Sequence, residues 1–488
     1  MRRIVALLLA LPLLAAAHTP AADTWMQVLL DGHKIGNMHT TRSVRGDEVV
    51  TTQEMNVELA RTGITVALST RETDTETRDG KPLAFETRTA ISGIATVVRG
   101  RVREDGRFDV TSEVGGAKQS RVIEWPAGAL LAEGQRLATV RDALEPGMHF
   151  VELAFQPESL DAVQVESTVG ARERVVLPDG EQLLTRIEQQ IHLPGAPATS
   201  TAWLDADQNV SKMTMGLMGY DLMMVACSRR CAQAPNQPTD ILSHALVEVP
   251  AAIDAQALAQ GVTLHLRATR DGPALQFAST DEQRVRNEPG GVEVAITPLA
   301  AAAKPDREDA PTSADSAPND WLQSDAPEIR KLAHDGAGDA RTPREQMQRL
   351  EDFVRSYIRT KDLNVGYASA LEVARKPEGD CTEHAVLLAA LGRALGIPTR
   401  VVDGLAYTDH YAGRNHVFVP HAWAQAYVDG RWQSFDAALH GFDAGHVALA
   451  VGDGDPWRFF AGFDTLGRMR VDAITPAVAA AAKDSDAH

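Results

Sequence analysis

Cys381 stands at the polar start of a long apolar run, in Gly379-Asp380-Cys381-Thr382-Glu383-His384-Ala385-Val386-Leu387-Leu388. Asp380 followed by Glu383 is a capping-box pattern. It places Cys381 in the first turn of a buried helix that runs to about Gly396, where Pro398 stops continuation. Backbone N–H groups and the positive end of the helix dipole favour thiolate over thiol there. One of those N–H groups could also stabilise an oxyanion on a carbonyl attacked by the sulfur. A structural cysteine more often sits inside an apolar run than at its polar start.

A nucleophilic thiol needs a base, and the base needs an orienter. The segment His421-Ala422-Trp423-Ala424-Gln425-Ala426-Tyr427-Val428 alternates as a strand does. Asp429-Gly430 is a strong two-residue hairpin signal, and Arg431-Trp432-Gln433-Ser434-Phe435-Asp436 returns. In that register Trp423 faces Asp436, Gln425 faces Ser434 and Tyr427 faces Trp432. His421, two residues from Trp423, shares its face and lies diagonal to Asp436 at ~7–8 Å between backbones. The hairpin alone therefore presents an imidazole and a carboxylate to each other.

These residues resemble the core of the transglutaminase-like superfamily. The likeness runs through Ala368-Ser369-Ala370-Leu371-Glu372-Val373-Ala374, Gly379 to Ala385, and Gly396-Ile397-Pro398-Thr399-Arg400-Val401-Val402. It continues in His421-Ala422-Trp423, Gly430-Arg431-Trp432, Phe435-Asp436-Ala437 and Gly445-His446-Val447-Ala448-Leu449. The resemblance implies a papain-like triad with Cys381 as nucleophile, His421 as base and Asp436 as its orienter. It implies acyl transfer through a Cys381 thioester on a carboxamide or peptide bond of a protein or peptide substrate, without a cofactor. Amide cross-linking, deamidation and proteolysis share that thioester. The alternative is a non-catalytic binding module of the same fold in the cell envelope.

The elements that must position these residues make an α+β protein. Residues 23–237 read as an antiparallel β-rich accessory domain, with Ala95–Val102 returning as Phe108–Val114 and Thr201–Leu204 as Val210–Met215. Residues 238–299 read as a small β-rich domain, 300–319 as an Ala/Pro/Asp/Ser linker, 320–474 as the catalytic domain and 475–488 as a disordered tail. Thr342-Pro343 opens a helix carrying Met347, Leu350, Phe353, Val354 and Ile358 on one face.

Met1-Arg2-Arg3, the apolar run to Ala17 and Ala15-Ala16-Ala17 read as a signal peptide, with cleavage near Ala17 or Ala22. No later stretch is long and apolar enough to span a bilayer. The expectation is a periplasmic or secreted enzyme. A formal charge of −18 argues against a nucleic-acid partner. With one of the three cysteines reserved for catalysis, Cys227 and Cys231 are expected to form a disulfide in an exported chain. Met213, Met215, Met218, Met223 and Met224 precede that pair; Cu(I) suits thioethers, but core packing explains them as well. His410, His416, His421, His440 and His446 lack the helical spacing of a zinc protease, and no metal is expected.

Overall fold

The structure, a computed structural model, describes residues 21–61, 64–91, 94–140, 144–193, 197–206, 208–217, 219–237, 239–240, 245–270, 272, 274–299, 310–360, 367–455 and 465–476. The expected signal peptide to residue 20, the linker from 300 to 309, Met218 and the tail from 477 lie outside them. The chain divides into two units, Met1–Ile241 with Asn364–Tyr367 and Leu242–Leu363 with Ala368–His488.

The first unit is one fifteen-stranded sheet running from β1 (Ala21–Leu30) to β15 (Tyr220–Ala226), with helices α1 (Ala132–Val140) and α2 (Arg229–Ala232). Strands consecutive in sequence are neighbours except Ala117–Ile123 and Ala129–Leu130, which form the two edges, and β1 meets β15 in the middle of the sheet. The alternation seen in the sequence becomes alternate burial: Phe108, Val110, Ser112 and Val114 point inward while the residues between them are less buried. Met213 pairs with Met224 across the sheet and both are buried, as is Met215. Cys227 and Cys231 are joined in a disulfide. The Ala132, Glu133 and Gly134 amides, at the start of α1, donate to the buried carboxylates of Asp74 and Glu76.

The second unit mixes helices and sheets. Its elements are β16 (Val247–Glu248), α3 (Ala255–Gln260), β17 (Val262–Ala268), β18 (Gln283–Glu288), β19 (Gly291–Ile296), α4 (Pro327–Ala337), α5 (Pro343–Tyr357), α6 (Ala370–Arg375), α7 (Cys381–Ala394), β20 (Thr399–Tyr411), β21 (Arg414–Val428), β22 (Arg431–Phe435), β23 (His446–Gly452) and β24 (Met469–Pro476). One sheet has the order β16-β21-β20-β23 with β22 on β21; the other has the order β18-β19-β17-β24. Helix α7 packs against β21 and β20 and against α4, α5 and α6. Ala385 through Leu391 are all almost fully buried, so this helix is apolar on every side because it has neighbours on every side. Helix α5 is amphipathic, burying Met347, Leu350 and Val354.

Three sequence boundaries need correction. Residues 238–299 are not a separate small domain: β16 pairs with β21, and β17 pairs with the C-terminal β24. Gln283 completes the bond, its side chain pairing with both the carbonyl and the amide of Ala448. Thr475 and Pro476 belong to β24 and not to a tail. The described end of the linker is ordered by polar contacts, with the Arg393 guanidinium on the Ala317 carbonyl and Asn319 capping Trp321 and Leu322.

Candidate active site

Cys381 is the first residue of α7 and half-buried. The capping box is present as the sequence suggests. The Asp380 carboxylate accepts from Thr382 N at 3.0 Å, and Glu383 Oε2 accepts from Asp380 N at 2.9 Å. Glu383 does more than cap. Its Oε1 accepts from Ala368 N at 2.9 Å, tying the segment before α6 to the start of α7. Burial and the neighbouring Asp380 push the Glu383 carboxyl well above its usual range. His384 is buried, with Nδ1 2.6 Å from the Asp380 carbonyl oxygen, so it anchors the same turn.

His421 lies on β21, the strand that α7 packs against. The hairpin register is the one the sequence implies: Gln425 opposite Ser434 and Tyr427 opposite Trp432, around Asp429 and Gly430 with φ of 52° and 77°. Positive φ at both loop positions is what a type I′ turn requires, and Gly430 supplies the second without strain. Asp436 follows directly after β22. His421 Nε2 donates to Asp436 Oδ2 at 2.8 Å.

Asp436 is held from every direction. Its Oδ1 accepts from Ala438 N at 2.8 Å and Leu439 N at 3.2 Å. Its own amide donates to Glu351 Oε1 at 2.7 Å, and Arg355 donates to its carbonyl at 3.0 Å. Both partners come from α5. A further contact escapes the sequence: His446, the first residue of β23, reaches the same Oδ2 with its Nε2 at 3.0 Å. Burial alone would raise the Asp436 carboxyl, but the hydrogen bonds and charges of the two histidines outweigh it and hold it well below the usual carboxylate range. Burial likewise favours neutral His446, yet Asp436 and Asp443 push that imidazole up to about 9.

Trp423 frames the pair, its ring 6.2 Å from that of His421 and 5.3 Å from that of His446. Along the outer edge of β22, Asp281 accepts from Trp432 N and Glu282 from Ser434 N. These carboxylates satisfy the strand edge, and burial raises Glu282 to about 7. From sequence, His446 stood only in a motif and among the histidines weighed for zinc, and neither Glu351 nor Arg355 was singled out.

Two imidazoles and a carboxylate are also zinc-ligand types. His421, Asp436 and His446 converge closely enough to be considered as such. At 2.8 and 3.0 Å, however, each nitrogen and Oδ2 already make a hydrogen bond, and a metal would have to displace both protons. His265, Glu288 and Glu293 form a second such group, half-buried on the β18-β19-β17-β24 sheet.

Residues 330–437 match the Transglutaminase-like superfamily. The second unit carries a transglutaminase-like domain. The match includes Cys381, His421 and Asp436 and ends before His446. No curated protein matches the chain. Among solved structures, a protein named as a candidate cysteine protease from Cytophaga hutchinsonii is similar at 17% identity, with 44% of this chain and 87% of that one covered and a TM-score of 0.28. A β-barrel-like protein of a domain of unknown function from Brucella abortus is similar at 11% identity, with 45% and 98% covered and a TM-score of 0.32. A candidate protease from Parabacteroides distasonis is similar at 13% identity, with 75% and 69% covered and a TM-score of 0.20.

Proposed function

We propose that the transglutaminase-like domain is an exported thiol enzyme of acyl transfer, working on carboxamide or peptide bonds of a protein or peptide substrate. The observation that carries this reading is the hydrogen bond from His421 to the buried, ionised Asp436, on the strand against which the Cys381 helix packs. In this mechanism the Cys381 thiolate attacks the carbonyl carbon, and the α7 N-terminus favours both the thiolate and the oxyanion that follows. His421 binds Asp436 through Nε2, which leaves Nδ1 as the nitrogen that exchanges the proton with sulfur and leaving group. His421 protonates the departing amine or ammonia as the C–N bond breaks and the thioester forms. Water or an amine then attacks the thioester, His421 taking its proton, and the thiolate is released. Water gives hydrolysis; an amine gives a cross-link. Asp436 stays ionised throughout and holds the imidazole in one tautomer.

The substrate is peptide-like in this reading, the compartment is the periplasm or the exterior, and the signal peptide is removed. The test is trapping. The full chain, incubated with a cell-envelope extract and quenched in acid, should carry an acyl group on Cys381 that mass spectrometry finds and that hydroxylamine releases. Iodoacetamide should alkylate Cys381 rapidly at neutral pH. An inert thiol with no acyl adduct would leave a binding module in place of an enzyme.

A further inference from the structure

Both ring nitrogens of His446 face carboxylate oxygens: Nε2 lies 3.0 Å from Asp436 Oδ2, and Nδ1 lies 3.0 Å from Asp443 Oδ1. A neutral imidazole has one N–H, so one of these contacts would set a lone pair against a carboxylate. An imidazolium satisfies both. The Asp443 amide is also placed to donate to Nδ1 at 3.3 Å, which a neutral ring would accept, but the Asp443 side-chain oxygen at 3.0 Å and carbonyl at 3.2 Å are closer, and both accept from a protonated Nδ1. The ring is 3% exposed and lies 4.9 Å from that of Phe442. A buried cation held between two carboxylates is a costly arrangement to keep for packing alone.

We propose that His446 is a positioning residue of the Cys381–His421–Asp436 site, a buried cation that shares Asp436 Oδ2 with His421 and thereby sets both the orientation and the basicity of His421. The proposal rests on the pairing of Cys381 with His421 given above. A lone carboxylate would hold His421 strongly protonated. With a second cation on the same oxygen and the rings 5.7 Å apart, His421 releases its proton more readily. The other charged groups facing this pair are Glu282, whose negative form attracts His446, and Glu351 and Arg355 of α5, which grip the Asp436 backbone. His421 is therefore held against Asp436 beside a second imidazole that never meets the substrate.

The experiment uses the full chain labelled with 13C at histidine Cε1, titrated by NMR, alongside the pH profile of Cys381 alkylation by iodoacetamide. In the wild type the His446 signal should stay protonated to near pH 9. His446→Gln keeps an N–H donor for Oδ2 without the charge. There the His421 titration should move up by roughly one to two pH units, and the alkylation profile should move with it. Asp443→Asn removes the charge beside Nδ1 while keeping an oxygen for Nδ1 and for the Gly445 amide; it should lower the His446 titration and shift His421 in the same direction as His446→Gln does, by less. It carries the test if His446→Gln does not fold. A His446 that titrates at or below the ordinary value of ~6.5 overturns the proposal. So does a His421 titration unchanged in both variants. His421→Ala separates the two ideas. If it leaves Cys381 alkylation unchanged, the Cys381–His421 pairing fails, while the His446 titration and its response to Asp436→Asn still report on the shared carboxylate.

Discussion

His421 and His446 reach one oxygen of Asp436 from strands that are not neighbours. His421 on β21 is opposite Gly404 of β20, and His446 on β23 is opposite Ala406 of the same strand. Positions 404 and 406 lie two apart, so both imidazoles rise from the same face of the sheet. Two strand spacings, roughly 10 Å, separate their backbones. The Asp436 carboxylate fills that gap. The central strand therefore fixes the spacing of the two imidazoles, and the hairpin supplies the anion between them.

Substitutions at the three candidate catalytic residues should separate their roles. Cys381→Ala should abolish turnover, because no other group can form the thioester, and His421→Ala should nearly do so. Asp436→Asn should leave on the order of 10³–10⁴-fold less activity, since an orienter makes and breaks no bond. The loss has a physical cause beyond charge. The asparagine amide nitrogen would point its hydrogens at two Nε2–H donors, or at the Ala438 and Leu439 amides if it flipped. Turnover by purified Cys381→Ala equal to that of the wild type would end the enzyme reading.

Glu383 should place the nucleophile without touching it. Glu383→Ala frees the Ala368 and Asp380 amides, and leaving buried donors unpaired costs about 1–3 kcal/mol each. Gly379 sits at φ 148°, and a methyl group there would overlap the Glu383 side chain. Gly379→Ala should therefore lower the melting temperature and slow Cys381 alkylation, while Glu383→Gln, which keeps one acceptor, does less of both. Alkylation rates identical in all three variants would show that the α7 start is held by other groups.

The hairpin was legible because its geometry is local. Asp429-Gly430 fixes the loop at two residues, and that alone aligns His421 with Asp436. The cap at Asp380 and Glu383 was legible for the same reason. His446 was not, because its approach depends on β23 lying beside β20, a pairing that no short-range pattern encodes. The 238–299 boundary failed likewise: β17 takes as its partner β24, about two hundred residues away, and a Thr-Pro ending reads as a tail until that partner is known. In the first unit the alternation of polar and apolar residues was enough to announce an antiparallel sheet, although not the junction of β1 with β15.

Export makes a prediction about the mature N-terminus. In β1 the backbone positions of Ala21 and Ala22 are paired with Ser43 and Arg42. Cleavage after Ala17 leaves those pairs intact, whereas cleavage after Ala22 removes them. N-terminal sequencing of the protein from the periplasm should therefore find His18. A chain recovered with Met1 in the cytoplasm would contradict the export proposal.

Stability should fall as pH rises above about 5. Burial raises the carboxyls of Asp74 and Glu351 to about 7 and those of Glu76 and Glu152 to about 8, and it raises Glu282 to about 7. In the unfolded chain these groups lose their protons near pH 4. Between about pH 4 and 8 the folded state thus binds more protons, so their contribution is fully present below pH 4 and is lost as pH climbs through 7 to 8. His446 acts in the same direction, its contribution present below ~6.5 and lost through about 9. Asp436 acts oppositely. Its depressed carboxyl contributes above pH 4, and that contribution is lost in acid. The melting temperature should therefore peak near pH 5 and decline toward pH 9. Glu152 isolates one part of this, because both of its carboxylate oxygens are buried without a hydrogen-bond partner and burial is the sole cause of its shift. Glu152→Gln should match the wild type at pH 5 and melt higher at pH 9, where the wild-type side chain must ionise in the sheet interior. Calorimetry of both proteins across that range decides it, and a melting temperature that climbs from pH 5 to 9 would mean these carboxylates are solvated in solution.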